Sequence, residues 1–307
     1  LTIEADFFYK KTNDLLFNMP VPASTGFTSE PRNVADMKNQ GVEFSIGLTP
    51  VKTDRVTWTV NFNGLHYKNT VTRLPEELRE KGFTRGNQIM KEGGSIYDFY
   101  MVKWGGVNPD NGDAQYWIKN QATGQFELKQ SADYESVNSL QYAGSAIPDL
   151  QGGFGTTLHF YNFDLALQFS YQLGGKFYDS QYLGLMQTGG NGGGWHTDIR
   201  KRWTPENRNT DVPRLQFNSQ NIVTTSDRFL IDASYLSLRN LSLGYTFAPE
   251  VTEKLKLSRL RYYISADNVY LWSKRQGLDP RASIAGTNTY AVYSPIRTVS
   301  MGLSVSF

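Results

Sequence analysis

Cysteine is absent from the 307 residues, which removes disulfides and thiolate chemistry while saying little about compartment. Histidine is scarce: His66, His159 and His196 are scattered along the chain, so a histidine-based metal centre or catalytic triad is not expected. No apolar run reaches the ~18 residues that would mark a membrane-spanning helix. Neither sign of charge dominates, with 31 Lys and Arg against 29 Asp and Glu, which argues against an electrostatic nucleic-acid binder. Paired carboxylates at readable spacing, a nucleophile elbow and a phosphate loop are all missing, and "GGKFYDSQ" carries only a Gly-rich turn without the second half of a P-loop. We therefore expect no enzyme, no metal and no cofactor.

What is abundant is aromatic and alternating. Tyr and Phe number 18 each, with 28 Gly. The closing stretch "RTVSMGLSVSF" puts Val299, Met301, Leu303, Val305 and Phe307 in one row and Thr298, Ser300, Gly302, Ser304 and Ser306 in the other. Side chains alternate faces along a strand, so this segment has one apolar and one small, polar face. The opening "LTIEADFFYKK" shows the same pattern and starts in mid-strand at Leu1. We expect it to be a cut point, with the chain the C-terminal piece of something larger.

Six further segments repeat the alternation: "GVEFSIGLTP", "RVTWTVNFNG", "GFGTTLHF", "FDLALQFSYQL", "YLSLRNLSLGYTF" and "RLRYYISADNVYLW". The apolar phase slips between Leu238 and Leu241, which predicts a bulge. Eight strands result. Short connections near 50–54, 161–162 and 248–258 alternate with long ones over roughly 11–40, 68–150, 174–232 and 273–295. Outer-membrane barrels are built this way, with short periplasmic turns and long external loops. Their alternating strands also average out polar, so a mean hydropathy of −0.46 does not count against one. The expected fold is all-β, a transmembrane antiparallel up-and-down barrel segment. Glu4, Asp6, Glu43, Asp164, Gln168 and Gln172 then face the lumen, and Leu165, Leu167 and Phe169 face lipid. Tyr9, Trp58, Phe160, Tyr171, Tyr245, Phe247, Tyr262 and Tyr270 fall near strand ends, where amphipathic rings sit at headgroup level. The alternative is a soluble β-sandwich, such as a glycan-binding module, against which four loops above ~15 residues weigh.

Several segments resemble a known family. They are "NQGVEFSI" (39–46), "EGGSIYDFYMVKWGGVNPDNGDAQY" (92–116), "RWTPENRNTDVPRL" (202–215), "SDRFLIDASYLSLRNLSLGYTF" (226–247) and "SADNVYLWSKRQGLDP" (265–280). In this order they are similar to the C-terminal part of SusC/RagA-type TonB-dependent outer-membrane importers. The resemblance implies the last eight strands of a plugged barrel of about 22, with the plug and N-terminal strands outside residues 1–307. It also implies import of an oligosaccharide, or of a peptide as in other members. The implied partners are a SusD-like surface lipoprotein as lid, the TonB complex acting through the N-terminal part, and outer-membrane lipid. A signalling receptor on the same scaffold is a third reading.

Two loop segments invite a closer look. "NPDNGDAQ" (108–115) brings oxygen donors together, but it lacks the spacing and terminal Glu of an EF-hand and suits a turn with positive φ at Gly112. "GGNGGGWHTDIRKRWTPEN" (189–207) is the more suggestive binding segment, because rings stack on sugar C–H faces while flanking polar groups fix orientation. The candidate ligand contacts are Trp195, His196, Asp198 and Arg200 there, with Tyr97, Trp104 and Tyr116 in the preceding long loop. A short amphipathic helix would account for "WHTDIRKRW" equally well, and the shared motif favours a structural role for Trp203. "LPEELREKGF" (74–83) fits a short surface helix with Pro75 in its first turn. Phe307 is expected to act as an assembly signal, because an aromatic C-terminus on an alternating strand resembles the signal read by the barrel-assembly machinery.

Overall fold

The computed structural model describes all residues except 22, 23, 25, 131–138, 188–193, 217–225, 276 and 288–294. Strands β1 (Thr2–Pro20), β2 (Ser29–Lys52) and β3 (Val56–Arg73) run up, down and up. A first excursion, 74–149, carries the short helix α1 (Glu76–Arg79) and seven short strands. These are β4 (Phe83–Arg85), β5 (Gln88–Met90), β6 (Asp98–Met101), β7 (Lys103–Val107), β8 (Ala114–Lys119), β9 (Phe126–Gln130) and β10 (Gln141–Ser145). The chain returns through β11 (Leu150–Phe160) and β12 (Phe163–Leu173). A second excursion, 174–234, holds β13 (Lys176–Tyr178), α2 (Ser180–Met186), the 3-10 turn Thr197–Lys201 and β14 (Leu230–Asp232). Then come β15 (Tyr235–Thr246), the turn helix α3 (Pro249–Thr252), β16 (Arg259–Ser273) and β17 (Thr298–Ser306).

The eight long strands form one sheet in the order β1-β2-β3-β11-β12-β15-β16-β17, every neighbouring pair antiparallel. Sequential neighbours make an up-and-down wall, joined by short links on one rim and on the other by the loop 21–28 and three long excursions. The short links are 53–55, 161–162 and 247–258; Tyr161 takes φ of 53° in the tightest of them. All three excursions, the third being 274–297 between β16 and β17, leave from the opposite rim. A soluble sandwich would lay a second sheet over the apolar face. Among the described residues the remaining sheets have four, three and two strands, and all belong to the excursions.

Cross-strand register assigns the faces. Asp6 lies opposite Glu43, Gly155 opposite Gln168, Gln168 opposite Asn240, and Asn240 opposite Asp267. Because partners share a face, Glu4, Asp6, Glu43, Asp164, Gln168 and Gln172 all fall on one polar side of the wall, with Ser300 and Ser304 at its far end. Ile3, Ile46, Phe62, Leu165, Leu243 and Met301 occupy the other. Their contiguity is what lipid requires, since every backbone group inside the wall is already paired to a neighbour.

The rings on the apolar face divide into two groups. At the short-turn rim Phe163, Tyr245 and Phe247 contact one another in series at 4.8 and 5.2 Å, and the Trp58 indole donates to Thr156 at 2.7 Å. Towards the long-loop rim lies Tyr171, two residues from the end of β12. It is buried among Phe62 and Phe154, and its hydroxyl donates to the Asn63 carbonyl at 3.0 Å. Gly64 makes room for this cluster, since a Cβ there would approach the Phe44 ring to 2.6 Å.

One predicted connection differs markedly from the sequence reading, and the predicted bulge is present. The predicted long connection 11–40 shrinks to 21–28, because β1 and β2 stay paired up to Pro20 and Ser29. Register shifts between Thr12 and Leu16, with Asp14 at φ 54°, break the alternation that would reveal this extension. Arg73 fastens the irregular region by bridging Asp14 and Asp36. The slip expected after Leu238 is a bulge at Arg239, matched by Asn268 at φ 50° on β16.

Candidate functional site

Two surfaces are candidates, the polar face of the wall and the head built by the excursions. On the wall, Glu4, Asp6 and Glu43 line one hollow with Ser45, Asn63 and Tyr235. Carboxylates directly opposite each other repel, so the Asp6–Glu43 corner favours water or a cationic neighbour. Towards the short-turn rim, Arg261 of β16 reaches over β15 to Asp164 of β12 in a bidentate pair at 3.0 and 2.6 Å. The bridge crosses at Gly244, where a Cβ would lie 2.3 Å from the guanidinium and 2.5 Å from the carboxylate. Three strands are thus tied together across a glycine.

The head has its own core. Phe99 and Met101 of the first excursion pack with Tyr178, Met186, Ile199, Val212 and Phe229 of the second, all buried. The third excursion joins through Arg275, whose Nε donates to Asp179 at 3.0 Å and whose guanidinium lies 4.5 Å from the Tyr182 ring centroid. Asp227 accepts the Trp104 amide at 2.7 Å, and Trp104 in turn lies under the Arg228 guanidinium at 4.6 Å. Burial pushes the Asp227 carboxyl up and the Arg228 guanidinium down from their ordinary values. Sequence reasoning missed these ties; the hydrogen-bonded partners, 96 and 123 residues apart, leave no spacing signal.

The segment around Trp195 is described from Gly194 onward; its glycines 189, 190, 192 and 193 lie outside the described residues. Trp195 is 47% exposed. The His196 Nδ1 accepts the Asp198 amide at 3.1 Å and caps the 3-10 turn, whose Ile199 is anchored in the head core. The Asp198 carboxylate accepts from the Tyr182 hydroxyl and lies against the Lys201 ammonium, each at 2.8 Å. Lys201 chiefly, then Tyr182, holds the Asp198 carboxyl below the usual range, while burial and then Asp198 push the Tyr182 phenol up to about 12. His196 and Asp198 thus have internal partners already, whereas Trp195 and Arg200 are turned to solvent.

The first-excursion candidates are placed differently. Tyr97 packs, half-buried, against the head core. Trp104 meets Tyr116 edge to face at 5.3 Å, and Tyr116 is 0% exposed, a core ring with no surface to present. The seven candidates therefore do not converge on one pocket. Trp203 has the structural role favoured for it: its indole donates to the Pro109 carbonyl at 3.0 Å, and its ring closes over Gly112. That clamp holds the "NPDNGDAQ" turn, where Asn108 and Asn111 accept from the Asp110 and Asp113 amides and Asp113 takes Arg214 at 2.6 Å.

The fold and its two-faced wall define a membrane β-barrel segment with a folded head on one rim. No protein-family model matches the chain. The chain is 30% identical to TonB-dependent receptor P3 of Formosa agariphila, covering 100% of this chain and 32% of the relative. It is 27% identical to TonB-dependent receptor SusC of Bacteroides thetaiotaomicron, with 98% and 30% covered. A solved structure of the RagAB peptide importer in a closed–closed state superposes with a TM-score of 0.83 at 25% identity, over 99% of this chain and 33% of that one. In the open–open state the TM-score is 0.78. The chain spans about a third of the length of the relatives it matches. The recognition made from the motifs holds, and the chain is identified as a barrel portion of a SusC/RagA-type TonB-dependent receptor.

Proposed function

We propose that residues 1–307 are the C-terminal barrel part of an importer that takes an oligosaccharide, or a peptide, across the outer membrane. In this reading a SusD-like surface lipoprotein closes over the head, and the TonB complex supplies energy through the N-terminal part. The observation that carries it is the wall: eight antiparallel strands with one unbroken apolar face, one polar face, and all large excursions on a single rim. Relatives named as TonB-dependent receptors, and a structural neighbour named as a peptide importer, support both halves of the proposal. The polar face lines the lumen, and of the candidates at 195–200 Trp195 and Arg200 are the side chains open to contact with cargo.

Topology is tested in intact cells carrying the full-length protein in a background without other cysteines. Ala122→Cys in the head should react with an impermeant maleimide, and Lys52→Cys at the short-turn rim should not. The reverse pattern overturns the orientation. Cargo class is tested by growth of a deletion strain on oligosaccharides or on peptides as sole nutrient. Undiminished growth on both overturns the import reading.

A further inference from the structure

The three-stranded sheet β7-β8-β9 in the head has two unlike faces. On one, Tyr116 and Ile118 are buried with Val102 and Ala114, and Trp104 and Leu140 pack against them. On the other, register aligns Lys103 with Trp117 and Trp117 with Leu128, and sets Lys119 opposite Phe126. Here Trp117 and Leu128 are each 41% exposed and Phe126 39%. Leu128 also lies against Gly105, where a Cβ would meet its Cδ1 at 2.2 Å, so the apolar surface extends over all three strands. Adjacent exposed apolar side chains of this size mark an interaction site more often than scattered single ones do.

The charges select the occupant. Lys103 and Lys119 stand exposed beside the patch. Among the described residues of the three strands no carboxylate shares this face, because Glu127 pairs in register with Ile118 on the buried side and accepts from Asn120 there. A second copy of the chain would set lysine against lysine. The middle strand sets Trp117 at the centre, with Leu128 and Phe126 beside it on β9, and an aromatic, apolar centre with a charged rim is the usual anatomy of a protein interface. We propose that this face docks a protein whose matching surface is apolar at its centre and acidic at its rim, and that the protein is the surface lipoprotein of the preceding reading, on which the choice of partner rests.

The test uses the full-length receptor and the purified lipoprotein. A photo-crosslinking residue at position 117 should give an adduct with the lipoprotein in cells. Leu128→Glu, and separately the paired Lys103→Glu and Lys119→Glu, should each weaken binding about tenfold or more, and the charge reversal should flatten the salt dependence of association. The lysine pair is at the surface, so its reversal leaves the sheet's core intact; Leu185→Glu, elsewhere on the head, should bind as wild type. If the lipoprotein binds wild type and every variant alike and gives no adduct, this face is wrong while the lid reading stands. If it does not bind wild-type receptor at all, the lid reading falls and takes this inference with it. Loss of oligosaccharide retention in Trp117→Ser at unchanged lipoprotein affinity would make the face a sugar platform and overturn the proposal.

Discussion

The wall and the head use similar side chains in opposite ways. In the wall Leu243 is 45% exposed and Met301 72%, whereas in the head Phe99, Phe177 and Phe229 are almost completely enclosed. Water drives the second arrangement, since burying a large apolar side chain is worth about 1.5–3 kcal/mol. Lipid permits the first, because the wall's backbone groups are satisfied within the sheet and its apolar rows need only an apolar solvent. The head is thus a small water-soluble fold raised on a membrane sheet, and the two parts should fail under different insults.

Delivery separates them most sharply. Phe307 is 95% exposed, and only its backbone is tied down, through Ser258. If it is an assembly signal, Phe307→Ala in the full-length protein should strip most receptor from the outer membrane while leaving the heat resistance of the assembled fraction near normal. Immunoblots of membrane fractions and heat-modifiability on gels measure the two quantities. Wild-type amounts in the membrane would reduce Phe307 to a lipid-facing ring.

Phe99→Ala attacks the head alone. A large-to-small change at a fully buried ring should cost about 3–5 kcal/mol, read as faster proteolysis and hydrogen exchange within 74–149 and 174–234. Exchange in β11 and β12 should stay slow. Loss of protection in both would show that head and wall unfold as one unit.

Leu167 and its neighbour Gln168 probe the wall. An arginine in the middle of the lipid-facing band costs about 2–4 kcal/mol, so Leu167→Arg should depress folding into bilayers by that amount, and Gln168→Arg should fold nearly as wild type. Equal tolerance would contradict the face assignment.

The smallest effect expected is a pH dependence confined to the head. The Tyr182 phenol is raised to about 12 by burial and by Asp198, above the ~10 of an unfolded tyrosine. Its contribution to stability is therefore complete below about pH 10 and lost as pH rises towards 12, because only the unfolded state ionises in that window. Subtracting the phenolate absorbance of Tyr182→Phe from that of wild type should isolate this late titration. Asp198→Asn should move it earlier by removing a negative charge while leaving the burial in place. A difference curve centred near 10 in wild type would contradict the geometry.

The strands of the wall were legible because a two-solvent environment imposes a period of two on the chain. Leu165, Leu167 and Phe169 against Asp164, Gln168 and Gln172 needed no partner to be read, and the slip at Leu238 announced the bulge at Arg239. Legibility ended where the period is broken, as at Asp14, or where strands are too short to show one. β4 to β10, β13 and β14 escaped notice for that reason. Exposure of the candidate ligand residues was not legible at all. Trp195 and Tyr116 are both aromatics in long loops, and nothing local separates an exposed ring from one that is wholly enclosed.

By itself, then, the sequence determined the eight wall strands, their two faces, the alternation of short and long connections and the family, all of which rest on local pattern or ordered motifs. Tertiary structure alone decided that the excursions knit into one core, that Arg261 crosses Gly244 to reach Asp164, and that Trp117, Leu128 and Phe126 meet on an open face. Those contacts join side chains whose sequence neighbours carry no mark of the encounter. Their energy comes from close packing and paired charge, which exist only once distant segments are brought together.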